Sequence, residues 1–354
     1  MKALILVGGF GTRLRPMTLT TPKPLVDFGN TPILCHQIQA LASAGVDEVI
    51  LAINYQPEIM MKALAEWEKV YNVKITCSLE TEPLGTAGPI RLAEKIIKNN
   101  NVSGLFFVFN SDVICEYPLE KLVEFHKAHK KQGTIVVTEV QDPSKYGVVV
   151  GPENGAIERF VEKPQTYVGN KINAGLYLFH TDMIERIPLR PCSIEKEIFP
   201  QMASEHHLYQ LTLPGYWMDI GQPKDYLSGQ KMYIMSQKEK ASARVANDCI
   251  VHESAQVDAS AVLGPNVVVG ADCKIEAGVK IQNSTILSGT HVKAHTFIEG
   301  SIIGWKNTIG SWVRITGLTC TAEDVQVANM SCLNGTKILP HKGVSGEHKD
   351  NIIM

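Results

Sequence analysis

A six-residue repeat occupies the last third of the chain. An aliphatic residue returns at every sixth position, first at Val251, Val257, Leu263, Val269, Ile275, Ile281 and Leu287. After a one-residue slip the repeat continues at Ile286, Val292 and Ile298, and after a second slip at Phe297, Ile303, Ile309 and Ile315. A period of six is typical of a parallel β-helix, in which each face of a triangular coil takes one hexapeptide and the aliphatic residue points to the axis.

The alternative for this region is an ordinary β-sandwich. Its strands would alternate apolar and polar residues with a period of two, which does not sustain a period of six over many strands. We therefore expect a left-handed parallel β-helix of hexapeptide repeats over residues 248–340, followed by a C-terminal tail over residues 341–354.

The first 235 or so residues alternate segments typical of strands and helices. The strand segments are KALILV, EVILAI, KITCSL, LFFVFN and GTIVVTEV, and the helical ones are TPILCHQIQALASAG, PEIMMKALAEWEKVY, GTAGPIRLAEKIIKNN and LEKLVEFHKAHKK. This order predicts an α/β, Rossmann-like domain with a mixed, mostly parallel sheet over residues 1–240. A chain of 354 residues exceeds what one hydrophobic core usually spans, which also favours two domains.

Charge and hydropathy limit the partners that we expect. A formal net charge of −2 provides no overall field that would attract nucleic acid or an anionic membrane. No apolar run approaches 18 residues, and the ALILV start is too short for a signal peptide. The eight cysteines contain no C-x-x-C spacing, so we expect buried thiols. We predict a cytoplasmic protein without nucleic-acid or membrane partners.

Glycines and cations are concentrated in LVGGFGTRLRPMTLTTPKPLVDFG, residues 6–29. The segment completes neither G-x-G-x-x-G nor a P-loop. Its glycines would nevertheless let backbone amides approach phosphate oxygens, and Arg13, Arg15 and Lys23 could neutralise negative charge. A tight turn with solvated cations is the other interpretation of such a segment.

Two aspartates are candidate magnesium ligands. Asp112 directly follows the predicted strand LFFVFN, and ligands of α/β proteins collect at the carboxyl ends of strands. Asp219 lies in WMDIG, over a hundred residues later. Mg²⁺ prefers one or two carboxylates together with substrate oxygens. A solvated turn aspartate is the alternative for either residue alone.

Longer motifs carry a resemblance to a known family. GGFGTRLRPMTLTTPKPL resembles the signature of sugar nucleotidyltransferases, which join a nucleoside triphosphate to a sugar 1-phosphate and release pyrophosphate. The likeness continues through EPLGTAG, FNSDV, KYGVV, FVEKP, NAGLY and WMDIGQPKDY. With the hexapeptide repeats it covers nearly the whole chain. Within the family it resembles the eukaryotic-type mannose-1-phosphate guanylyltransferases, in their catalytic beta form.

This resemblance implies a reaction. An oxygen of mannose 1-phosphate would attack the α-phosphorus of GTP in line, with Mg²⁺ as cofactor, giving GDP-mannose and pyrophosphate. By the resemblance Arg13 would hold the leaving pyrophosphate, and Lys23 would contact the phosphates near the reacting centre. Lys163 would grip the phosphate of the sugar 1-phosphate.

The resemblance also implies the remaining site residues. Those expected around the base, the ribose and the phosphates are Leu6, Val7, Gly9, Gly11, Thr12, Gly85 and Asn110. Those expected around the sugar are Glu162 and Asn173, which would bond its hydroxyls, and Gly147 and Gly175, which would let the backbone approach it. Asp112 and Asp219 would share the Mg²⁺ ion.

Three alternatives are kept. A sister enzyme with another base or sugar would share the mechanism. Left-handed β-helices also build acyltransferases, so the repeats could add a second activity. A regulatory paralogue that binds nucleotide sugar without catalysis is the third alternative, although such a protein should have lost part of the phosphate or metal set, which is complete here.

Partners beyond the substrates are expected as well. Trp305 and Trp312 lie seven residues apart in the repeats, where large apolar rings could be covered by another subunit. Packing of both rings onto the catalytic domain is an equally simple alternative. We predict a homo-oligomer formed through the β-helix, with a related regulatory subunit as a further possible partner.

Overall fold

The computed structural model describes residues 1–9, 11–53, 57–240, 245–246 and 248–354. The chain forms two compact units, one of Met1–Gly9 and Leu34–Trp217 and the other of Phe10–Ile33 and Met218–Met354. Most of the glycine-rich segment therefore belongs to the same unit as the hexapeptide repeats. Among the described helices, none is long and apolar enough to cross a membrane.

The first unit is built on one mixed sheet. Its central strand, Lys2–Leu6, pairs in parallel with Glu48–Ile53 on one side and with Leu105–Asn110 on the other. Across the sheet the strands follow the order Arg159–Glu162, Gly147–Val150, Lys171–His180, Leu105–Asn110, Lys2–Leu6, Glu48–Ile53 and Lys74–Leu79. Gly133–Glu139 also pairs with Lys171–His180, and Leu208–Thr212 pairs with Gly133–Glu139. The Rossmann-like mixed sheet predicted from the sequence is confirmed.

Helices connect these strands. The α-helices are Ile33–Ser43, Pro57–Tyr71, Gly88–Leu92, Glu94–Lys98, Leu119–His129 and Phe199–Ser204, with a π-helical turn at Ile194–Ile198 and 3₁₀ turns at Pro143–Lys145 and Thr181–Arg186. The single helix expected over GTAGPIRLAEKIIKNN is instead two short helices. Ala93 separates them because its φ of −82° and ψ of 2° leave the helical region.

Three parallel sheets of short strands form the repeat region, as in a left-handed β-helix. Sheet 1 contains Cys249–Val251, Val267–Val269, Thr285–Ile286, Ile302–Ile303, Cys320–Thr321, Lys337–Ile338 and Ile352–Ile353, with Val245–Ala246 antiparallel at its edge. Sheet 2 contains Gln256–Val257, Lys274–Ile275, His291–Val292, Thr308–Ile309, Gln326–Val327 and Gly343–Val344. Sheet 3 contains Val262–Leu263, Lys280–Gln282, Phe297–Glu299, Arg314–Thr316, Cys332–Asn334 and Glu347–Lys349.

The slips in the repeat have a structural cause. Val269 pairs with Ile286, one residue short of three full hexapeptides, so this coil has a shorter corner. Ile286 and Ile298 therefore continue the fully buried inner column. Leu287 and Phe297, which the period also marks, lie beside that column. Phe297 lies on the outside, where the Arg314 guanidinium packs 5.4 Å from the ring centroid.

The rest of the second unit packs around sheet 1. It contains 3₁₀ turns at Thr12–Leu14, Met17–Leu19 and Lys23–Leu25, a hairpin of Asp27–Phe28 and Thr31–Pro32, the end of strand Trp217–Asp219, and the helix Pro223–Glu239. On sheet 1, the side chains of Val268, Thr285 and Ile302 point away from the axis of the β-helix, yet all three are buried. Gln230 of the long helix donates to the carbonyls of Asn266 and Ser284 and accepts from the Thr285 hydroxyl.

Stacking of the inner column should dominate the stability of the β-helix. Ile303 is 0% exposed, and Ile303→Ala should lower the free energy of unfolding by about 2–5 kcal/mol because it leaves a cavity among stacked aliphatic side chains. Ile352, 59% exposed, is the matched control, and Ile352→Ala should stay within about 0.5 kcal/mol. Urea denaturation of both variants measures the difference, and equal losses would contradict the stacking account.

Candidate functional site

A cavity of about 200 Å³ lies at the carboxyl ends of the central strands of the first unit. Leu6 and Gly8 at the end of the first strand and Ala52 of its neighbour form one wall, and Leu84 and Gly85 line the other. Val7 is buried and donates its N–H to the Ala52 carbonyl, which holds this strand end. Leu6 and Gly85, both predicted from the resemblance, thus line one cavity.

The EPLGTAG segment is tied to a distant stretch of the chain. Gly85 has a φ of +75°, and a Cβ there would lie 2.4 Å from the carbonyl oxygen of Cys192. Thr86 donates its hydroxyl to Glu195 and accepts from the Ile194 N–H at 2.9 Å. Residues 192–195 therefore hold one wall of the cavity in place. The sequence pattern carried no signal for this support, because it comes from more than a hundred residues away.

A buried amide positions the turn that carries Asp112. Gln37 is 0% exposed and donates its Nε2 to the carbonyl oxygens of Asn110 at 2.8 Å and of Val113 at 3.1 Å. These carbonyls flank Asp112 on both sides. Asn110 also pairs with Leu6 in the sheet, so the candidate metal ligand stands at the same strand ends as the cavity. Gln37 lies in a helix and was not predicted as a site residue.

A β-bulge shapes the NAGLY motif. The pairing of Lys171–His180 with Gly133–Glu139 shifts between Asn173 and Tyr177. Asn173 accepts from the Gly175 N–H at 2.9 Å and donates to the Tyr177 hydroxyl at 2.8 Å. Burial raises the pKa of Tyr177, so this hydroxyl stays protonated at neutral pH. The Trp217 indole donates to the Ala174 carbonyl at 2.9 Å and fixes the bulge from outside the strand.

Glu162 and Lys163 lie at the end of a neighbouring strand. Glu162 pairs with Gly147, where a Cβ would come within 2.9 Å of the Glu162 carboxylate and 2.4 Å of the Phe160 ring. The Lys163 ammonium lies 3.3 Å from the same carboxylate. Lys163 is 64% exposed, so this pair is weak and leaves the ammonium accessible to a ligand.

The glycine-rich segment of the second unit folds into a compact loop. Gly11 has a φ of +59°, and its carbonyl accepts the Thr18 hydroxyl at 2.8 Å. A Cβ at Gly11 would lie 3.1 Å from the Lys23 side chain, so glycine lets Lys23 pack closely. Thr12 and Arg13 follow as exposed residues in a 3₁₀ turn. In the first unit Gly9 has a φ of +120°, and a Cβ there would meet no described atom within 4 Å.

Arg13 and Asp219 meet within the second unit. Their closest nitrogen and oxygen atoms are 3.7 Å apart. Asp219 also accepts from the Gly221 N–H at 2.8 Å. A Cβ on Gly221 would lie 2.7 Å from both the Arg13 guanidinium and the Asp219 carboxylate. Gly221 was not predicted as a site residue, although it stands inside the quoted motif WMDIGQPKDY.

The two candidate metal ligands belong to different units, Asp112 to the first and Asp219 to the second. Across the described ranges no group of three or more His, Cys, Asp or Glu side chains is arranged to hold a metal ion. Two carboxylates are nevertheless a donor set that suits Mg²⁺, which takes its other ligands from water and substrate oxygens. Each of the two side chains is therefore a chemically suitable ligand for this ion.

Two protein families match this chain. The family described as Nucleotidyl transferase matches residues 2–236, and the family described as GMPPB C-terminal domain matches residues 245–353. Among curated relatives, mannose-1-phosphate guanylyltransferase 1 of Arabidopsis thaliana is 52% identical over 361 residues, covering 100% of this chain and 98% of its own. Mannose-1-phosphate guanyltransferase of Candida albicans is 50% identical over 375 residues, covering 100% of both chains.

Solved structures resemble part of the chain. HddC from Yersinia pseudotuberculosis is 31% identical, with a TM-score of 0.55, covering 64% of this chain and 96% of its own. HddC in complex with GMP-PN is 30% identical, with a TM-score of 0.54 and the same coverage.

Substitution of Gly175 should separate backbone strain from crowding. Gly175 has a φ of +76°, and a Cβ there would lie 2.8 Å from the Asn110 amide, whereas Gly45, with a φ of +78°, has nothing within 4 Å. Both alanine variants are destabilised by the left-handed backbone. Gly175→Ala should lose about 1–2 kcal/mol more, because it displaces the Asn110 amide, which is hydrogen-bonded to the Tyr177 hydroxyl. Urea denaturation checks this, and equal losses would show that the Asn110 contact is unimportant.

Proposed function

This chain belongs to the nucleotidyltransferase family, and we propose that it transfers the GMP group of GTP to α-D-mannose 1-phosphate, giving GDP-mannose and pyrophosphate. The observation that carries the proposal is the identity of about half of all residues with mannose-1-phosphate guanylyltransferases along the entire chain. The complex of HddC with GMP-PN supports the choice of base.

The proposed reaction joins two anions. A phosphate oxygen of mannose 1-phosphate attacks the α-phosphorus of GTP in line, and pyrophosphate leaves with its charge masked. Arg13 and Lys23 bind the phosphates of the nucleotide, and Gly9, Gly11 and Thr12 provide close backbone approach. The cavity beside Leu6 and Gly85 takes the base, and Asn110, next to it in the sheet, bonds the ribose.

The sugar phosphate is held by the other group of residues in the first unit. Glu162 accepts hydrogen bonds from sugar hydroxyls, and Asn173 both accepts from them and donates to them. The bulge at Gly175 and the missing side chain at Gly147 let the backbone approach the ring. Lys163 binds the attacking phosphate, and its exposed ammonium beside Glu162 supports this assignment.

Asp112 and Asp219 would hold Mg²⁺. When bound, the ion would withdraw charge from phosphate oxygens of both reactants, as magnesium does in other phosphoryl-transfer sites. Gln37 keeps the Asp112 turn in place, and the Gly221 N–H orients the Asp219 carboxylate.

We further propose a catalytic domain over residues 1–240 and a β-helix over residues 248–340, to which the strands Gly343–Val344, Glu347–Lys349 and Ile352–Ile353 of the expected tail add a last coil. We also propose that the chain assembles into a homo-oligomer through the β-helix. The side chain of Trp312 is 64% exposed, which supports such an interface. The Trp305 indole instead donates a hydrogen bond to Asp27 within its own unit. A related regulatory subunit remains a candidate partner. Acyl transfer has no supporting observation.

Substrate choice is tested by pyrophosphate release over a grid of nucleoside triphosphates and sugar 1-phosphates. GTP with mannose 1-phosphate should have the highest kcat/KM in the grid. Glucose 1-phosphate, which differs at one hydroxyl, should be a weaker substrate, because one lost hydrogen bond weakens transition-state binding. A preference for UTP, dTTP or ATP would move the protein to a sister enzyme, and release of no pyrophosphate with any pair would favour the regulatory paralogue.

The metal assignment predicts the effect of removing one carboxylate. Asp112→Asn and Asp219→Asn should each lower kcat at saturating Mg²⁺ by about a hundredfold or more, because a lost ligand weakens charge stabilisation in the transition state. Asp258→Asn is the control, since Asp258 bonds Ser260 on the β-helix surface. Near-normal Mg²⁺-dependent rates in both variants, with circular dichroism unchanged, would refute the assignment.

A further inference from the structure

Trp305 of the β-helix contacts the hairpin of Asp27–Phe28 and Thr31–Pro32, at the end of the glycine-rich segment. Its indole Nε1–H donates to the Asp27 carboxylate at 3.2 Å, and both residues lie in the second unit. Trp312, seven residues later, makes a different contact. It is 64% exposed and stacks on His295 with ring centroids 4.4 Å apart. Of these two tryptophans, Trp305 is the one that bonds outside the repeats.

The hairpin that contains Asp27 has further anchors in the same unit. The Tyr226 hydroxyl of the long helix donates to the Asp27 carbonyl at 2.5 Å. Asn30 donates to the Val269 carbonyl of sheet 1 at 2.8 Å. The Phe28 ring packs edge-on against Tyr226 at 5.2 Å. The hairpin is thus attached to both the β-helix and the helix that covers it.

A short rigid connection joins this hairpin to Lys23. The chain forms a 3₁₀ turn over Lys23–Leu25, and the Val26 N–H donates to the Lys23 carbonyl at 3.1 Å. Lys23 in turn packs against Gly11 at the start of the cationic loop. We expect a displacement of Asp27 to reach Lys23, because the residues between the two form this hydrogen-bonded turn.

The carboxylate that receives the indole bond is poorly solvated. Burial raises the pKa of Asp27, and the hydrogen bond from Trp305 opposes this effect by stabilising the ionised form. Loss of the indole donor leaves a partly buried carboxylate with one hydrogen bond fewer. We expect such a side chain to turn towards water, which would shift the Asp27 end of the hairpin while the Asn30 and Phe28 contacts remain.

We propose that Trp305 is a positioning residue through which the β-helix sets the place of the pyrophosphate-binding cations Arg13 and Lys23. The inference rests on the proposed function and extends it. The repeats then contribute to catalysis without a catalytic residue of their own, by holding a loop whose cations must meet the departing pyrophosphate. Binding of the sugar phosphate, which involves Lys163 of the first unit, does not depend on this contact.

The test compares tryptophan variants in both directions of the reaction. Trp305→Phe keeps an aromatic ring and removes the N–H donor, and Trp312→Phe is the matched control. In the reverse reaction, which converts GDP-mannose and pyrophosphate to GTP and mannose 1-phosphate, Trp305→Phe should raise the KM for pyrophosphate by about fivefold or more. The KM for mannose 1-phosphate in the forward direction should stay at the wild-type value. Trp312→Phe should leave both constants unchanged.

Asp27 variants provide an independent arm. Asp27→Asn keeps an oxygen that can accept the indole bond, and Asp27→Leu has a similar size but no acceptor. Asp27→Leu should reproduce the effect of Trp305→Phe on the KM for pyrophosphate, and Asp27→Asn should change it less.

The outcomes are separable. The inference is overturned if Trp305→Phe behaves as Trp312→Phe in an active enzyme. It is also overturned if the KM values for pyrophosphate and mannose 1-phosphate rise in the same proportion, because that result marks a general structural defect. A wild-type protein that makes no GDP-mannose overturns the proposed function itself, and the inference with it.

Discussion

Burial of the outer face of sheet 1 is the constraint on which the second unit depends. The outer faces of sheets 2 and 3 carry exposed residues such as Lys274 and Arg314. The outer face of sheet 1 instead carries Val268, Ile302 and Cys320, which are buried. Apolar area left in water costs about 25 cal/mol per Å². A second layer must therefore cover this face, and Gln230 of the helix Pro223–Glu239 forms three hydrogen bonds in the middle of it. The Asp27 hairpin shares the same support.

This cover explains why the glycine-rich loop belongs to the unit of the repeats. Its buried residues Leu14, Met17 and Phe28 are 0% exposed, so the loop has an apolar side as well as a cationic one. Arg13 and Lys23 are consequently carried by a packed segment. A loop that binds phosphate gains from such support, because less conformational freedom is lost when the ligand binds.

In the first unit, glycines with positive φ and a β-bulge hold the candidate site residues in place, as packing does for the glycine-rich loop. Gly85 and Gly175 both have positive φ, and each lies against atoms from another segment, the Cys192 carbonyl and the Asn110 amide. The sequence motifs indicated both glycines, yet the reason for each became visible only with its partner. Gly221, although inside a quoted motif, and Gln37 were not predicted as site residues, yet they orient Asp219 and the Asp112 turn.

The sequence by itself determined the two architectures, because each has a local period. The six-residue repeat predicted the three-sided coil, and alternating apolar segments predicted the mixed sheet, with strands such as Leu105–Asn110 confirmed to the residue. Periods report which side of an element is buried, but they do not say what covers it. The split of the GTAG helix at Ala93, the inner position of Ile286 beside Leu287, and the bond between Trp305 and Asp27 were decided by tertiary structure. Ile286 is placed by its pairing with Val269, and the Trp305–Asp27 bond joins residues 278 positions apart, so neither contact follows from a regular spacing in the sequence.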